Sequence, residues 1–206
     1  MYELVEEASK VLRNPTEMFN FNEPQCDAQE LVDGMKDAME LHGGLGLSAN
    51  QVGVDVSMFV MRTQDEGIVG FFNPVITQIS QETEMMKEGC LSFPDIYIML
   101  KRPKSIVFDY QTAEGEKRSL KLEGIGARCV QHEIDHLNGI LFLQRASRLK
   151  LERAQKARVK ERKKRIDYEK RVALARYFQE MQSTKDDSES NDTSEVSADN
   201  RLSQES

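Results

Sequence analysis

Hydrophobic and polar residues alternate along this chain with two different periods. The helical period dominates DAQELVDGMKDAMELHGG, where Asp27 and Glu30 stand in capping-box spacing and Gly43 follows the last periodic residue. Apolar side chains recur there every three or four positions, at Leu31, Met35, Ala38 and Met39. The pattern predicts an amphipathic helix with one buried face.

Short segments rich in β-branched and aromatic residues follow, separated by turn residues. They read VDVSMFVMR, GIVGFFNPVI, IYIML, SIVFDYQT and KRSLKLEG, and they predict strands between about Val54 and Glu123. A second helix is predicted over residues 125–138. Strands and helices do not alternate regularly, and no repeat is visible. The expected class is therefore α+β, with antiparallel or mixed strands around a central helix.

The chain changes character after residue 147. Residues 148–182 contain neither Gly nor Pro and are rich in good helix formers, which predicts one long helix. Residues 183–206 are dominated by Ser, Asp and Glu and lack aromatic side chains, which predicts a disordered acidic tail. We therefore expect a folded domain over 1–147, followed by a basic helix and this tail.

Charge is segregated along the same boundaries. Residues 148–176 hold 13 basic and 4 acidic residues, a balance of +9, whereas residues 1–147 have a balance of -10 and the tail one of -5. Two interpretations of the basic segment stay open. It is either a solvated helix with salt bridges on its own surface, or an arm attracted to nucleic acid or another anionic surface.

Composition narrows the cellular setting. A hydrophobic content of 39% suffices for one folded domain within 206 residues. No apolar run reaches membrane-spanning length, and MYELVEEASK has acidic residues where a signal or transit peptide carries basic ones. A soluble protein of a cytoplasm-like compartment is expected. Its three cysteines are expected to be reduced thiols.

The stretch QHEIDHLNG holds two of the three histidines of the chain, four residues apart. On a helix, His132 and His136 lie on one face and can bind one ion at about 2.0 to 2.1 Å from each nitrogen. Glu133 lies beside them, where a general base takes a proton from water. The alternative is a polar helix with local hydrogen bonds and a surface glutamate.

The third ligand is less obvious. The extended zinc-peptidase motif H-E-x-x-H-x-x-G-x-x-H would end at Phe142, which cannot bind a metal. His42 is expected to interact with the last carbonyls of the first helix. Cys90, in the turn-like KEGCLSFPD, completes a Cys-His-His set with an open fourth position, as in catalytic sites. Cys129 is interpreted as a pocket or core residue.

The glycine-rich segment GGLGLSANQVG lacks the third glycine of a dinucleotide-binding loop, and no strand precedes it. Together with two other segments it resembles, in order and spacing, the motifs of the peptide deformylases. These are GLGLSANQ at 44–51, EGCLS at 88–92 and QHEIDH at 131–136. The resemblance covers nearly all of residues 1–147. Ser48 replaces the usual alanine, and Tyr97 stands where the enterobacterial type usually has arginine, as in the plastid-type branch.

This resemblance implies hydrolysis of the formyl group from the N-terminal formyl-methionine of nascent polypeptides. The implied metal ligands are Cys90, His132 and His136. Glu133 is implied as general base and then proton donor to the leaving amine. The side-chain amide of Gln51 and the backbone N–H of Leu91 would stabilise the tetrahedral oxyanion.

Substrate-binding residues follow from the same resemblance. Gly46 lets a substrate backbone approach and pair like an added strand. The other residues assigned to substrate binding are Leu45, Met86, Gly89, Ile125 and Cys129, most of them as the lining of a pocket for the methionine side chain.

The implied cofactor is one divalent metal ion, Fe2+ first, with Zn2+, Ni2+ or Co2+ as alternatives. The basic segment 148–176 is expected to bind ribosomal RNA, because bacterial relatives are thought to dock through a C-terminal helix. Neither DNA nor a membrane is expected as a partner. Two other functions stay open: a zinc-peptidase-like hydrolase, and an RNA- or ribosome-binding module with a relic metal site.

Overall fold

A computed structural model describes the backbone of residues 2–196 and the side chains as far as residue 177. This part of the chain contains three α-helices, which are α1 (Ala28–Leu41), α2 (Gly124–Leu137) and α3 (Arg148–Val196). The strands are β1 (Gly46–Ser48), β2 (Met58–Arg62), β3 (Ile68–Ile79), β4 (Thr83–Cys90), β5 (Phe93–Pro103), β6 (Ser105–Gln111) and β7 (Lys117–Glu123). Short 3-10 turns span Lys10–Arg13, Ala49–Val52 and Phe142–Arg145.

The strands form two sheets. The larger one has the order β1-β2-β3-β6-β7, and the smaller one is the β4-β5 hairpin. Every pairing within the described chain is antiparallel, so the predicted α+β class is confirmed in its antiparallel form. Strand β1 has only three residues and lies at one edge of the larger sheet, which leaves one side of its backbone unpaired in that sheet.

Helix α1 begins where its capping residue predicts. The Asp27 side chain accepts a hydrogen bond from the backbone N–H of Glu30 at 2.8 Å. Gly43, just past the end, has φ +65°, a left-handed conformation that glycine adopts without strain. The apolar face packs into a cluster with β2 and β3, which includes Met35, Met39 and Phe72.

Helix α2 is buried along most of its length, with ten buried residues among its fourteen. Its apolar side chains Ala127, Cys129 and Val130 pack against the aromatic residues of the larger sheet, such as Phe59 and Phe108. The polar side chains of the helix are therefore held in a water-poor setting between the sheets. The prediction of a central helix over 125–138 is confirmed to within one residue at each end.

The long C-terminal helix also begins where predicted but continues to Val196, past the predicted end at residue 182. Residues 183–196 have no Gly or Pro, and extending a helix is easier than nucleating one, so the disordered tail was wrong for this stretch. Residues 197–206 lie outside the described residues.

The folded unit does not stop at residue 147. The chain divides into compact units over Met1–Ala157 and Arg158–Ser206. The first unit includes the start of α3, because Leu151 and Ala154 pack into an apolar cluster with Phe93 and Phe142. In the part of the chain that the structure describes, no helix is long and apolar enough to cross a membrane.

Candidate metal site and catalytic cavity

The two histidines of α2 lie on one face of the helix, as their spacing predicts. Their ring centroids are 4.9 Å apart. His132 is 8% exposed and His136 only 1%. Strand β4 ends at Cys90 beside them, and the Cys90 Sγ atom lies 3.1 Å from His136 Nε2. One donor atom from each of these three residues lies within 4.8 Å of the others.

The position of Cys90 depends on an irregularity in the β4-β5 hairpin. Pairing between the two strands is regular as far as Glu88 and shifts in register before Cys90. Such irregularities bend a strand and re-aim its side chains. The sequence pattern indicated only a turn around KEGCLSFPD and did not reveal β4, because Thr83–Cys90 is rich in Met, Glu and Lys rather than β-branched residues.

A carboxylate also contacts one ring nitrogen of His132. Its Nδ1 atom lies 3.2 Å from Glu88 Oε2, which leaves the other ring nitrogen for the side of Cys90. Burial alone would lower the pKa of His132, but hydrogen bonds with Cys90 and Glu88 outweigh it and raise that pKa to about 10. The surroundings of His132 therefore stabilise a positive charge. A carboxylate behind a histidine is also the usual support of a metal-binding imidazole.

His136 has the opposite electrostatic character. Burial, and then the charge of His132, hold the pKa of His136 well below its usual value. A neutral imidazole keeps a lone pair for a metal ion. The donor set therefore fits one divalent cation, with a thiolate from Cys90 and imidazoles from the two histidines.

Glu133 lies beside this set in the interior, 3% exposed. Burial raises the pKa of its carboxyl group to about 7, although the charge of His132 and hydrogen bonds from Ser48 act against this. Its Oε2 atom has no hydrogen-bond partner among the described residues. A buried carboxyl with a pKa near neutrality and a free oxygen is suited to take up and release a proton.

Gln51 brings an amide group to the same place. Its Nε2 atom donates to Ser92 Oγ at 3.0 Å and lies 3.5 Å from Cys90 Sγ. Its Oε1 atom accepts from the backbone N–H and the hydroxyl of Ser48, at 3.0 and 2.9 Å. These bonds orient the N–H side of the amide toward the site. The hydroxyl that Ser48 has in place of the usual alanine is therefore hydrogen-bonded to Gln51.

A cavity of about 510 Å³ opens beside these groups. Of the residues assigned to substrate binding, those that line it are Leu45, Gly46, Gly89, Ile125 and Cys129. Gln51, Cys90, Leu91, His132 and Glu133 line it too. His42 borders it as an exposed residue, while its backbone N–H bonds the carbonyl of Ala38 at the end of α1.

Gly46 forms part of the cavity wall beside Cys129 and Glu133. A Cβ atom at this position would lie 2.6 Å from Cys129 Sγ and 2.7 Å from Glu133 Oε1, and both distances are shorter than Cβ atoms show in real proteins. Only glycine therefore leaves these two side chains where they are. Burial raises the pKa of the Cys129 thiol well above its usual value, so this cysteine is a neutral wall residue.

Met86 is the exception among the assigned pocket residues, because it does not line the cavity. It precedes Glu88 by two positions on β4, which places it roughly 7 Å further along the strand. Alternation along a strand predicts the face of a side chain correctly but not how far a cavity extends. The assignment of Met86 to the pocket stays a prediction that this cavity does not support.

Sequence reasoning missed the buried ion network behind the site. Arg102 binds both carboxylate oxygens of Glu88, at 2.8 and 2.9 Å, and Asp135 Oδ2 at 2.6 Å. Arg145 binds Asp135 from the other side. Arg128 binds Glu88 Oε1 at 2.8 Å. Arginine in a strand or helix carries no signal of burial, and only the fold brings these charges together.

Phe142, the residue at the third-ligand position of the extended zinc-peptidase motif, is 1% exposed and packs on His132 with a centroid distance of 5.6 Å. The third candidate donor, Cys90, lies instead at the end of a strand. An antiparallel α+β fold, a Cys-His-His set and a buried carboxyl beside it define a metal-dependent hydrolase. The zinc-peptidase-like alternative and the binding module with a relic site are not favoured.

Comparison with known proteins identifies the family. The sequence model of the polypeptide deformylase family matches residues 1–152. The chain belongs to the peptide deformylase family, whose members are metal-dependent enzymes that remove the formyl group from the N-terminus of formyl-methionyl peptides.

Individual relatives agree with this assignment. The peptide deformylase of Wolbachia pipientis wMel is 44% identical over 147 residues, covering 66% of this chain and 82% of the relative. Among solved structures, a peptide deformylase from Synechococcus elongatus in complex with actinonin has a TM-score of 0.70 and 32% identity, covering 76% of this chain and 85% of that one. Peptide deformylase 1B of Arabidopsis thaliana has a TM-score of 0.69 and 35% identity, covering 81% and 93%.

Proposed function

We propose that Cys90, His132 and His136 hold one divalent metal ion and that Glu133 is the general base of the deformylation reaction. The observation that carries this proposal is the convergence of the three donor atoms within 4.8 Å, with the buried Glu133 carboxyl beside them. When bound, the ion polarises the formyl carbonyl and makes water a stronger acid.

Ferrous iron is the proposed native ion. One thiolate and two imidazoles also accept zinc, nickel or cobalt, so the preference rests on the family resemblance and not on the donor set. A ferrous site with an accessible thiolate is expected to lose activity in air. Cys90 is only half-buried and lines the cavity, which agrees with such sensitivity.

Glu133 moves the proton. Its carboxylate takes a proton from the attacking water as the water oxygen bonds to the formyl carbon. The same carboxyl then gives the proton to the nitrogen as the C–N bond breaks, which releases formate and a free amine. A pKa near 7 for Glu133 makes both transfers accessible close to neutral pH.

Gln51 and Leu91 are the proposed oxyanion donors. The Gln51 amide is anchored through Ser48 and Ser92, which holds its N–H side toward the site where charge would develop on the formyl oxygen. Leu91 follows Cys90 directly and lines the same cavity. Its backbone N–H is the second proposed donor.

The substrate is proposed to bind as an added strand along the unpaired edge of β1. Gly46 offers its backbone there without a side chain in the way. The methionine side chain then enters the part of the cavity lined by Leu45, Ile125 and Cys129. Two of these are partly exposed in the structure, Leu45 at 42% and Ile125 at 58%, so substrate binding would bury apolar surface.

One experiment tests the metal site and the reaction together. Protein purified without oxygen should contain about one divalent ion per chain and release formate from a formyl-Met peptide. Cys90→Ser should lose both the metal and the activity while remaining folded. Folded, metal-loaded wild-type protein that releases no formate would sink the proposed function.

We also propose that residues 148–176 attract the ribosome, in the cytoplasm or an equivalent compartment where formylated chains are made. The balance of +9 over this segment supports attraction to ribosomal RNA without base specificity. Within it, side chains such as Lys160, Lys163 and Lys170 are exposed. No contact with DNA or with a membrane is proposed.

Substitution tests this docking better than truncation does, because the first turns of α3 pack in the core. Replacing Lys160, Lys163 and Lys170 by Gln should weaken ribosome co-sedimentation and lower its salt slope by about 1 for each lost phosphate contact. Activity on a short formyl-Met peptide should stay within about twofold, because these exposed charges do not line the cavity.

The matched control removes as many positive charges from the sheet. Lys117, Arg118 and Lys121 are exposed on β7, and their replacement by Gln changes the net charge equally. This control should leave co-sedimentation nearly unchanged. Equal weakening by both variants would show that net charge, and not the basic segment, attracts the ribosome.

A further inference from the structure

Arg128 is a buried cation that the proposed reaction does not use. It lies in the first half of α2 and is 4% exposed. It also lines the cavity. Burying a guanidinium group is costly unless its donors are satisfied. Its contacts therefore indicate what the residue is for.

The guanidinium group joins three elements. Its Nη1 atom donates to Glu88 Oε1 at 2.8 Å and to the carbonyl of Leu100 at 3.1 Å. Its Nη2 atom donates to the carbonyl of Glu84 at 2.7 Å. Arg128 thus connects α2, which carries the two histidines, to both strands of the hairpin that carries Cys90.

The Glu88 carboxylate is the centre of these contacts. Oε1 accepts from Arg128 and from Arg102, and Oε2 accepts from Arg102 and lies 3.2 Å from His132 Nδ1. Arg102 is shared with Asp135. Arg128 binds no other carboxylate in the part of the chain with described side chains, so Glu88 is the one carboxylate that it restrains.

We propose that Arg128 is a positioning residue for the metal site. It fixes the Glu88 carboxylate against β4 and β5, and Glu88 in turn fixes the ring of His132 with one nitrogen directed toward Cys90 and His136. This inference rests on the proposed metal site, and it adds a residue that contacts neither the metal nor the reacting atoms. Arg128 acts through Glu88.

Metal release measures this role without recourse to activity. In full-length protein loaded with Co2+, Arg128→Met should release the ion to a chelator about tenfold faster than wild type. This is the lower end of the effect seen when a residue that supports a metal ligand is lost. Cobalt bound to a thiolate has a characteristic absorption, so the same sample reports that Cys90 is still a ligand. Arg128→Lys keeps the charge but loses the forked geometry and should fall between wild type and Arg128→Met.

The matched control is Arg118→Met. Arg118 is an exposed arginine that forms an ion pair with Glu116 and not with Glu88. This variant should release cobalt at the wild-type rate. Urea unfolding of each metal-free variant shows that the proteins compared are folded, and Arg128→Lys supplies the comparison if Arg128→Met does not fold.

A coupling test separates positioning from general loosening. In a Glu88→Gln background, Arg128→Met should change the release rate by less than about twofold, because the residue through which it acts has lost its charge. An unchanged rate of cobalt release in folded Arg128 variants would overturn the inference. An equal acceleration by Arg128→Met in the wild-type and Glu88→Gln backgrounds would overturn it too. A wild-type protein that binds no cobalt through Cys90 would instead overturn the proposed metal site, and this inference with it.

Discussion

The charged residues around α2 and those along α3 have opposite surroundings. The side chains of Arg102 and Glu88 are 6% and 4% exposed and bind each other through two hydrogen bonds. Arg148 and Glu152, on α3, form a single bond with 93% and 48% of their side chains exposed. The first pair lies in a water-poor interior, whereas the second lies in solvent and salt.

This difference explains how the two regions can serve different purposes. Removing one partner of a buried pair leaves an uncompensated charge and costs about 3 to 5 kcal/mol. An exposed pair contributes about 0.2 to 1 kcal/mol. Strongly held charges suit the orientation of metal ligands, and weakly held ones suit reversible attraction to a polyanion.

The largest expected effect is at Glu133, the proposed general base. Glu133→Gln keeps the shape of the side chain but cannot take a proton, so kcat for formate release should fall about 100- to 10,000-fold. The metal content should not change, since Glu133 is not among the donor atoms. Metal analysis and a formate assay on the same sample check both statements. Near-normal turnover would show that another group is the base.

The next effect tests the buried network. Arg102→Met should lower the free energy of unfolding by about 3 to 5 kcal/mol, because it leaves Glu88 and Asp135 buried without this partner. Urea unfolding of the metal-free protein measures the change. A loss below about 1 kcal/mol would mean that this buried ion pair contributes no more than an exposed one.

The pH dependence of kcat/KM should reveal the buried carboxyl as well. Burial raises the pKa of Glu133 to about 7, and a protonated carboxyl cannot act as a base, so activity should fall as pH decreases through this pKa. A bound cation favours the ionised form and moves the midpoint below 7. Activity that increases toward acid pH would contradict the assignment.

The smallest effect is expected on α3. Arg148→Met removes an exposed ion pair with Glu152 and should change the free energy of unfolding by less than about 0.5 kcal/mol. Performed beside Arg102→Met under identical conditions, this measurement compares the same substitution in the two surroundings. Equal losses would mean that burial does not control the contribution of these charges.

Much of the fold was accessible from the sequence where the pattern is local. The Asp27 cap, the helical spacing of His132 and His136 and the strand segments all depend on neighbouring residues. Strand β4 was missed because Met, Glu and Lys have weak strand propensity, and its pairing with β5 supplies the structure.

The candidate site divides in the same way. Cys90 was chosen because of its chemistry, and the structure places it beside the two histidines. The roles of Arg102 and Arg128 depend on contacts between residues far apart in sequence, which no local pattern encodes. Met86 does not line the cavity for a related reason, since the extent of a cavity depends on the packing of several elements.

The absence of a side chain at Gly46 also limits how this enzyme can escape an inhibitor. A compound that lies along this backbone contacts a position where even one methyl group would press on Cys129 Sγ and Glu133 Oε1. A substitution that weakened the compound there would displace the proposed base and slow the reaction. Resistance by mutation should therefore arise at the exposed rim, at residues such as Leu45 or Ile125, and not at Gly46.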